Sequence, residues 1–577
     1  MLGTEMILEI LYIVLIGGGL LLGFQVNHLY FLLPIVGIAI VLIINKIKKD
    51  TEQEKAKREI KEKWGKDHKE KRNFDFIEKL YRALLKEENC ENIDDTTWRD
   101  LDMDFVYEKL DHTMSSPGQQ YLYYLLRHLI HDEVELKNRS TMIEEFMKNK
   151  DYAELLQVHL KRIGKEQSVD IVRYLLEGMK IVNNPLPLYQ ILTLLVILSP
   201  VIIYFGHGFG VLLLIALVMI NGMVYSNTKS KIFEEMMVFE NISKLLRCVN
   251  EIIKEDGDNP TFDFSKLKEL YDKVKNIYRN VGSIEFLEKA AAGGDSTGIL
   301  SFLNMLLLIE VRSFYKSIDL MNKYKGELLD LYIELGKIDA YIALASYKDS
   351  LKYYTKPSLS KKKPYFLRAL DLYHPLLSDP VPNSIEVSAR GILLTGSNAS
   401  GKSTFLKTIG INAIFAQTFN TVLAKEYSSS YFNVMTSIGT LDNIIGGDSY
   451  FMVEAKSLKR IIDTLNDDVT VLCILDEIFR GTNTIERISA ASEVLHYMIK
   501  KNCFVVAATH DLELTSLVED YYDNYHFEEN VDDNDVKFNY LLQKGPSRSR
   551  NAIKILKLLG YPEEIYKNAM DRANEIL

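Results

Sequence analysis

The stretch Gly391-Ile-Leu-Leu-Thr-Gly-Ser-Asn-Ala-Ser-Gly-Lys-Ser403 decides the fold of the last third of the chain. Its first five residues suit a short buried strand, and the rest fits the spacing G-x-x-x-x-G-K-[ST] from Gly396 to Ser403. In a loop of that spacing, glycines let backbone N–H groups close around phosphates, and the following helix points its positive end at them. The stretch therefore predicts a P-loop, a nucleotide-binding turn between a strand and a helix.

Two further apolar runs follow this loop along the chain and are predicted to join its strand in one sheet. They extend from Val469 to Leu475 and from Cys503 to Ala508, and helical stretches separate them from each other and from the loop. Strands that alternate with helices form parallel sheets with crossover connections. We therefore predict an α/β P-loop NTPase domain in which helices flank a parallel sheet.

The loop is expected to bind ATP and its Mg²⁺, the two predicted cofactors. Lys402 should reach the β- and γ-phosphates, and Ser403 should hold Mg²⁺. No other bound metal is expected, because the four cysteines are scattered and form no CxxC pair. The predicted nucleotide-binding residues of the loop are Gly396, Ser397, Asn398, Ala399, Ser400, Gly401, Lys402, Ser403 and Thr404.

Two carboxylates, Asp476 and Glu477, follow the apolar run that ends at Leu475. Asp476 suits the Mg²⁺ shell, directly or through water. Glu477 is placed to orient and polarise the attacking water, as phosphoryl transfer requires. The alternative is a pair of surface acids at the end of a strand, which the neighbouring P-loop disfavours.

His510 follows the third apolar run and is a candidate sensor of the γ-phosphate. At the end of a neighbouring strand it could hydrogen-bond that phosphate, whereas the alternative is a purely structural histidine. Lys402, Glu477 and His510 are therefore the predicted catalytic residues, and Ser403 and Asp476 are the predicted Mg²⁺ ligands.

Two stretches contain no Asp, Glu, Lys or Arg, namely Ile10 to Asn45 and Ile181 to Thr228. Each has a short polar break near its middle, at residues 25–28 and 206–208, and each half approaches the roughly 20 apolar residues of a spanning helix. We therefore predict four transmembrane helices in two hairpins. Buried core helices are the alternative, and the absence of a basic n-region disfavours a signal peptide.

Lysines at the ends of both hairpins predict the orientation of the chain. Positive residues next to spanning helices stay on the cytoplasmic side. The predicted location is therefore the cell membrane, with a multi-pass chain whose other domains are cytoplasmic. The flanking lysines are Lys46, Lys48, Lys49, Lys180, Lys229 and Lys231.

Composition limits the remaining possibilities. The net charge of −10 has the wrong sign for a protein whose whole surface coats nucleic acid, although a local basic face stays open. Helical periodicity over residues 74–180 and 230–355 predicts an all-α core, as in the apolar face Leu122, Leu125, Leu126 and Leu129. Between the first hairpin and this core, residues 46–72 form a charged segment, either a solvated linker or a segment lying on anionic headgroups.

Taken together, these motifs resemble the ATPase domain of the MutS family. The resemblance covers about 75% of the chain, is most specific in the last 210 residues, and extends upstream to a helical core and a lever helix at Ile333 to Tyr347. The matching stretches are Tyr373–Leu376, Val381–Asn383, Thr395–Thr404, Ser449–Glu454, Leu475–Thr484, Ala508–Thr515, Gly545–Arg550, Leu558–Pro562 and, in the core, Leu110–Gly118.

The resemblance implies several roles. In the family, the segment Arg480-Gly-Thr-Asn-Thr484 reaches across a dimer to the partner's nucleotide, so Asn483 and Thr484 are expected ATP contacts and a homodimer is expected. Asn398 matches an asparagine near the γ-phosphate. Tyr373 and His374 match a region that packs near the adenine.

This sequence also departs from the family pattern. Ser397, Ala399 and Ser400 replace the usual Pro, Met and Gly of the loop, while Phe479 and Asn483 stand where mismatch-repair members have Gly and Ser. The small or polar loop residues should still allow closure. We find no mismatch-reading domain before the core, so the chain is expected to be a membrane-anchored variant that lacks that domain.

Six segments follow from this reading. Residues 1–46 form a transmembrane hairpin, 47–73 a cytoplasmic linker, 74–180 the first part of the core, 181–228 the second hairpin, 229–360 the second part of the core with the lever, and 361–577 the ATPase domain with C-terminal dimerisation helices.

Three functions remain open at the level of sequence. The first is a membrane-tethered MutS-like ATPase acting on DNA, so that DNA is a candidate partner beside the membrane and a second copy. The second is a mechanochemical ATPase acting on a protein or on the membrane. The third, an ABC-transporter-like pump, is weaker because no LSGGQ-type segment precedes Asp476.

Overall fold

The computed structural model describes most of the chain outside the first hairpin. The predicted hairpin at residues 1–46 falls almost entirely outside the described residues, as do Asn398 and Ala399 of the P-loop. Apart from a few isolated positions, the described residues are 53–66, 70–85, 92–180, 184–206, 208–256, 262–291, 297–397, 400–439, 450–465, 469–532, 535–547 and 560–576.

Helices make up most of the described part of the chain before the first strand, as the apolar periodicity predicts. Their bounds are α1 Phe74–Ile77, α2 Lys79–Leu84, α3 Asp95–Asp100, α4 Met103–Leu110, α5 Ser116–Arg127, α6 Glu133–Lys148, α7 Lys150–Lys161, α8 Ile171–Glu177, α9 Leu186–Gly206, α10 Gly208–Lys231, α11 Phe233–Asp256, α12 Ser265–Ala291, α13 Thr297–Leu307, α14 Ile309–Lys323 and α15 Lys325–Ser350.

The long helix α15 is the central element of the helical core and packs along α5. Its apolar stripe, which includes Leu328, Leu331 and Leu335, is buried. The carboxylate of Asp339 is fully buried and accepts a hydrogen bond from the backbone N–H of Ser115 at 2.8 Å. A buried carboxylate is stable only when it is hydrogen-bonded, so this contact fixes the position of α15 against the start of α5.

Helices α9 and α10 form an antiparallel pair that protrudes from the core. Within the described residues they are the two helices long and apolar enough to cross a membrane, whereas the sequence predicts four such helices in the whole chain. Only 22% and 17% of their most apolar windows are buried. At Gly210 a Cβ would lie 2.6 Å from the Cα of Ile203, so glycine is needed for the two helices to approach this closely.

The C-terminal part is a mixed α/β unit with two sheets. The larger sheet has the order β10-β9-β4-β8-β7-β6, and the smaller has the order β1-β5-β2-β3. The strands are β1 Ser358–Ser360, β2 Phe366–Leu372, β3 Asn383–Ser388, β4 Gly391–Thr395, β5 Glu426–Ser430, β6 Phe432–Ser437, β7 Thr470–Asp476, β8 Cys503–Ala508, β9 Tyr522–Asp532 and β10 Asp535–Lys544. The helices of this unit are α16 Lys402–Thr418, α17 Tyr450–Asp463, α18 Thr484–Ile499, α19 Leu512–Leu517 and α20 Glu563–Ile576.

The three predicted strands, β4, β7 and β8, lie side by side in a parallel sheet, as expected. Strands β6 and β9, which were not predicted, extend it. Strands β9, β4, β8, β7 and β6 pair in parallel, as expected for the crossover connections through helices. Strand β10 pairs antiparallel with β9. The smaller, mixed sheet was not predicted, because its short strands alternate buried and exposed residues and lack the continuous apolar runs of β4, β7 and β8.

Candidate active site

The P-loop connects the end of β4 to the start of α16. Gly396 has φ +139° and Gly401 has φ +108°, conformations that residues with a Cβ rarely adopt. At Gly396 a Cβ would also lie 2.8 Å from the carbonyl oxygen of Phe527. The loop therefore requires both glycines of the motif for its path, independently of any ligand.

The side chain of Lys402 folds back into the loop. Its Nζ donates hydrogen bonds to the carbonyl oxygens of Gly396 at 2.6 Å and Ser397 at 2.8 Å, and the residue is buried. A buried ammonium held by weakly basic carbonyl groups can exchange them for phosphate oxygens, which are stronger acceptors. The position fits the predicted role of Lys402.

Ser403 and Asp476 lie together beneath the loop. Ser403 Oγ donates a hydrogen bond to Asp476 Oδ2 at 2.6 Å, which joins the first turn of α16 to the end of β7. Burial raises the pKa of Asp476 although the hydrogen bond from Ser403 lowers it. The other oxygen, Oδ1, is buried and has no hydrogen-bond partner among the described residues.

These two residues fit a Mg²⁺ ion. Both are oxygen ligands, which Mg²⁺ prefers, and the unpartnered Oδ1 is the kind of atom that a cation would satisfy. No cluster of three or more His, Cys, Asp or Glu residues occurs among the described residues, so an ion here would complete its shell with water and phosphate oxygens.

Glu477 is held by a histidine and an arginine side chain. His510 Nε2 lies 2.5 Å from Glu477 Oε1, and Arg480 forms an ion pair with the other carboxylate oxygen. Burial raises the pKa of Glu477, but the hydrogen bond from His510 and the charge of Arg480 outweigh burial, and the pKa lies below its usual value. Glu477 is therefore ionised at neutral pH.

The sheet register explains why His510 meets Glu477. Strands β7 and β8 are parallel neighbours, and Asp476 pairs with Ala508 across them. The residues that follow each strand consequently emerge at the same sheet edge. The sequence predicts a γ-phosphate sensor at His510, and the structure places its ring against Glu477 beside the glycine-rich loop.

A cavity of about 530 Å³ opens beside the loop. Tyr373 and His374 line it, as the resemblance implies for the base site. The Tyr373 hydroxyl donates a hydrogen bond to the carbonyl oxygen of Tyr353 at 2.8 Å, so this ring has a fixed position. Burial lowers the pKa of His374 to about 4, and the nearby charge of Lys407 adds to the effect.

One wall of the cavity was missed by sequence reasoning. Tyr540, on β10, lines the cavity with its ring partly exposed, and Asn383 fixes the strand by donating to the Tyr540 carbonyl at 3.0 Å and accepting from the Leu542 N–H at 2.7 Å. An exposed aromatic ring on a cavity wall can stack on a nucleotide base. No local signal marks Tyr540, because the wall forms only when distant strands pair.

Asn483 and Thr484 do not line the cavity within one chain. Asn483 is instead the N-cap of α18, where its side-chain oxygen accepts a hydrogen bond from the Glu486 N–H at 3.0 Å. Its amide nitrogen is still a donor. Of the predicted segment, Arg480 does line the cavity.

Comparison with known proteins agrees with this geometry. Residues 392–577 match the family model described as MutS domain V. The chain is similar to the DNA mismatch repair protein MutS of Thermus thermophilus, with 30% identity over 240 residues, 41% of this chain and 29% of the relative. It is also similar to the MutS protein of Thermotoga maritima, with 28% identity over 337 residues, 57% of this chain and 40% of the relative.

A eukaryotic relative gives a similar match. The DNA mismatch repair protein MSH3 of Candida glabrata is 30% identical over 292 residues, which cover 48% of this chain and 28% of the relative. The matched segments therefore span less than half the length of each of these relatives.

Proposed function

This chain belongs to the MutS family through the domain at residues 392–577, and we propose that it is a membrane-anchored enzyme that hydrolyses ATP as a homodimer. The observation that carries the proposal is one arrangement of side chains. Lys402 lies inside the loop, the Ser403–Asp476 pair lies beneath it, and the Glu477–His510 pair lies at its rim. Proteins of the MutS family are generally ATPases, which supports the same reaction here.

In this proposal, each residue acts on the transferred phosphoryl group by charge or by position. Lys402 neutralises the β- and γ-phosphates as negative charge shifts during transfer. Bound Mg²⁺, held through Ser403 and Asp476, would supply a Lewis acid for the phosphate oxygens. The ionised Glu477 orients the attacking water and accepts its proton.

His510 and Arg480 are positioning residues for that carboxylate. Because both contact Glu477, they hold it in one orientation and keep it charged. Both side chains carry N–H donors at the rim of the loop, which suits a contact with the γ-phosphate. Tyr540 and Tyr373 would enclose the base.

The membrane part of the proposal rests on α9 and α10. Their outward faces carry large apolar side chains that are mostly exposed, for example Ile197, Leu212 and Met223. Continuous exposed apolar surface of this extent is typical of membrane or protein contact. The lysines at the base, Lys229 and Lys231, favour a cytoplasmic position for that end.

Action on DNA is the second candidate, because the relatives are named DNA mismatch repair proteins. The alternative is a protein or membrane partner driven by the same ATP cycle. Binding of matched and mismatched duplexes by the full chain in nanodiscs, measured at several salt concentrations, separates the two. DNA action predicts affinity that falls steeply with salt, and no binding at low salt would leave the protein or membrane partner.

Two substitutions test the ATPase proposal. Lys402→Ala should abolish most ATP binding, because the ammonium acts on the bound ground state. Glu477→Gln should keep ATP binding and lower turnover by about 10²-fold or more, since the carboxylate acts on the water. The measurement is nucleotide binding and phosphate release by the full chain in detergent. Normal turnover by Glu477→Gln would show that the proposed role of Glu477 is wrong.

A further inference from the structure

Helix α13 is a third apolar element that is too short to cross a bilayer. No Asp, Glu, Lys or Arg occurs between Asp295 and Glu310. The helix has 11 residues, which corresponds to about 16 Å of length, roughly half of a hydrocarbon core of about 30 Å. It packs against both α9 and α10.

Polar side chains of the hairpin cap the C-terminal end of α13. Asn221 Nδ2 donates to the carbonyl oxygen of Leu306 at 2.6 Å. Thr193 Oγ1 lies 3.0 Å from the carbonyl oxygen of Leu307 and shares its one proton with the carbonyl oxygen of Tyr189 at 2.8 Å. Both donors are buried within the apolar helices α9 and α10. The last carbonyl groups of a helix need such partners when the helix ends away from water.

The position of Asn221 gives the depth at which α13 ends. Asn221 precedes Lys231, the last residue of α10, by ten residues, or about 15 Å along the helix. This distance is roughly the thickness of one leaflet. The capped end of α13 therefore lies near the bilayer midplane if α10 spans the membrane.

The chain then turns and returns toward the base of the hairpin. Leu308 is fully buried and has φ +52°, and α14 starts directly after it. Glu310 lies 3.2 Å from Lys229 Nζ and accepts a hydrogen bond from the Tyr225 hydroxyl at 2.6 Å. The first charged residue after α13 is thus paired with Tyr225 and Lys229, about one and two helical turns of α10 from Asn221 toward Lys231.

Phe302 and Leu303 of α13 are exposed, although their neighbours toward the hairpin are partly covered. Large exposed apolar side chains also cover the hairpin helices against which α13 packs. We propose that α13 is a re-entrant helix inserted into the cytoplasmic leaflet, with Phe302 and Leu303 against lipid acyl chains. The proposal rests on the membrane anchoring proposed above for α9 and α10.

The test is lipid-specific quenching of a fluorophore on single cysteines in the full chain. Phe302→Cys and Leu303→Cys are made in a Cys90→Ser background, in which the remaining Cys248, Cys473 and Cys503 are buried. The controls are Leu212→Cys on the hairpin and Phe105→Cys on the helical core, both exposed. Each labelled protein is reconstituted in phosphatidylcholine vesicles with or without brominated acyl chains, and iodide serves as the aqueous quencher.

We expect brominated lipid to quench the probes at Phe302 and Leu303 as strongly as the probe at Leu212, and iodide to quench only the probe at Phe105. If iodide alone, or neither agent, quenched positions 302 and 303 while lipid quenched position 212, the re-entrant helix would be wrong and the anchor would stand. If lipid quenched none of the four positions, both the anchor and the re-entrant helix would be wrong.

Discussion

Phe479 adopts a backbone conformation that is unusual for a residue with a side chain, with φ +63°. The family pattern has Gly at this position, which the left-handed conformation explains because glycine adopts it without strain. Here the buried Phe479 ring packs 5.5 Å from the ring of Phe451, between their centroids. Packing therefore compensates for backbone strain immediately after Glu477, which is itself at φ +56°.

This balance gives a prediction for two substitutions. Phe479→Ala and Phe479→Gly both remove the ring, but only the alanine keeps a Cβ in the left-handed conformation. The glycine variant should therefore be more stable by about 1 kcal/mol, visible as a higher melting temperature in detergent. A higher melting temperature for the alanine variant would show that the backbone strain at this position is absent.

His374 gives the second prediction at this scale, on pH. Its pKa falls from the usual 6.5 to about 4 on folding, chiefly through burial. The unfolded chain therefore binds more protons between these values, and stability that is complete above about pH 6.5 is lost as pH falls toward about 4. At about pH 5 the free energy of unfolding is lower than at neutral pH by at most roughly 2 kcal/mol.

His374→Asn is the matched variant, since its side-chain oxygen can replace the Nδ1 that accepts from the Leu376 N–H. We expect the drop in melting temperature between about pH 7 and about pH 5 to be smaller in this variant than in the unmodified chain. An equal drop in both proteins would mean that another group carries the acid sensitivity.

At the scale of elements, Asn483 is the N-cap of α18, which accounts for its side-chain oxygen. Its amide N–H donor is still available for the partner's nucleotide. Asn483→Ser keeps a capping oxygen and a donor hydroxyl, and Asn483→Asp keeps the capping oxygen alone. If the donor reaches the partner's phosphate, the serine variant should retain turnover. The aspartate variant should lose about tenfold to a hundredfold, the equivalent of ~1.5–3 kcal/mol.

Melting temperature is the control for this comparison, because both variants should preserve α18. Phosphate release is then measured at saturating ATP. Equal turnover of the serine and aspartate variants would indicate that Asn483 serves only as the cap.

The sequence predicts those elements whose structure depends on a local pattern of residues. Strands β4, β7 and β8 and the loop after β4 depend on local apolar runs and glycine spacing, and these were predicted with the residues they carry. Tyr540 and α13 depend on pairing between distant segments: β10 reaches the loop through Asn383, and α13 reaches the hairpin through Asn221 and Thr193. Local patterns carry no information about such contacts.

At the scale of the molecule, the helical core contacts the sheet close to the proposed ATP site. Asp100 of α3 accepts hydrogen bonds from Thr436 Oγ1 at 2.9 Å and from the Ile438 N–H at 3.0 Å, at the end of β6. Strand β6 is the parallel neighbour of β7, which ends at Asp476. A change at the proposed Mg²⁺ site would therefore reach the core through neighbouring strands, and α14 packs against both the core and the hairpin.

The central claim, that two membrane-anchored copies complete each other's ATP sites, is tested by phosphate release from mixed variants. Lys402→Ala and Asn483→Asp are co-purified in equal amounts from cells expressing both. In a mixed dimer, the Asn483→Asp subunit has the intact loop. That loop faces the intact segment 480–484 of the Lys402→Ala subunit, so this one site is complete. We predict recovery to about a quarter of normal turnover, since half of the random dimers are mixed and each has one complete site.

The matched control mixes Lys402→Ala with Glu477→Gln. Each of these residues acts in its own subunit's ATP site, so a mixed dimer has one defect in each site and no turnover should return. Differently tagged subunits establish that mixed dimers form. Recovery with Asn483→Asp and none with Glu477→Gln is the result that the account predicts. No recovery in either mixture, with mixed dimers present, would contradict it.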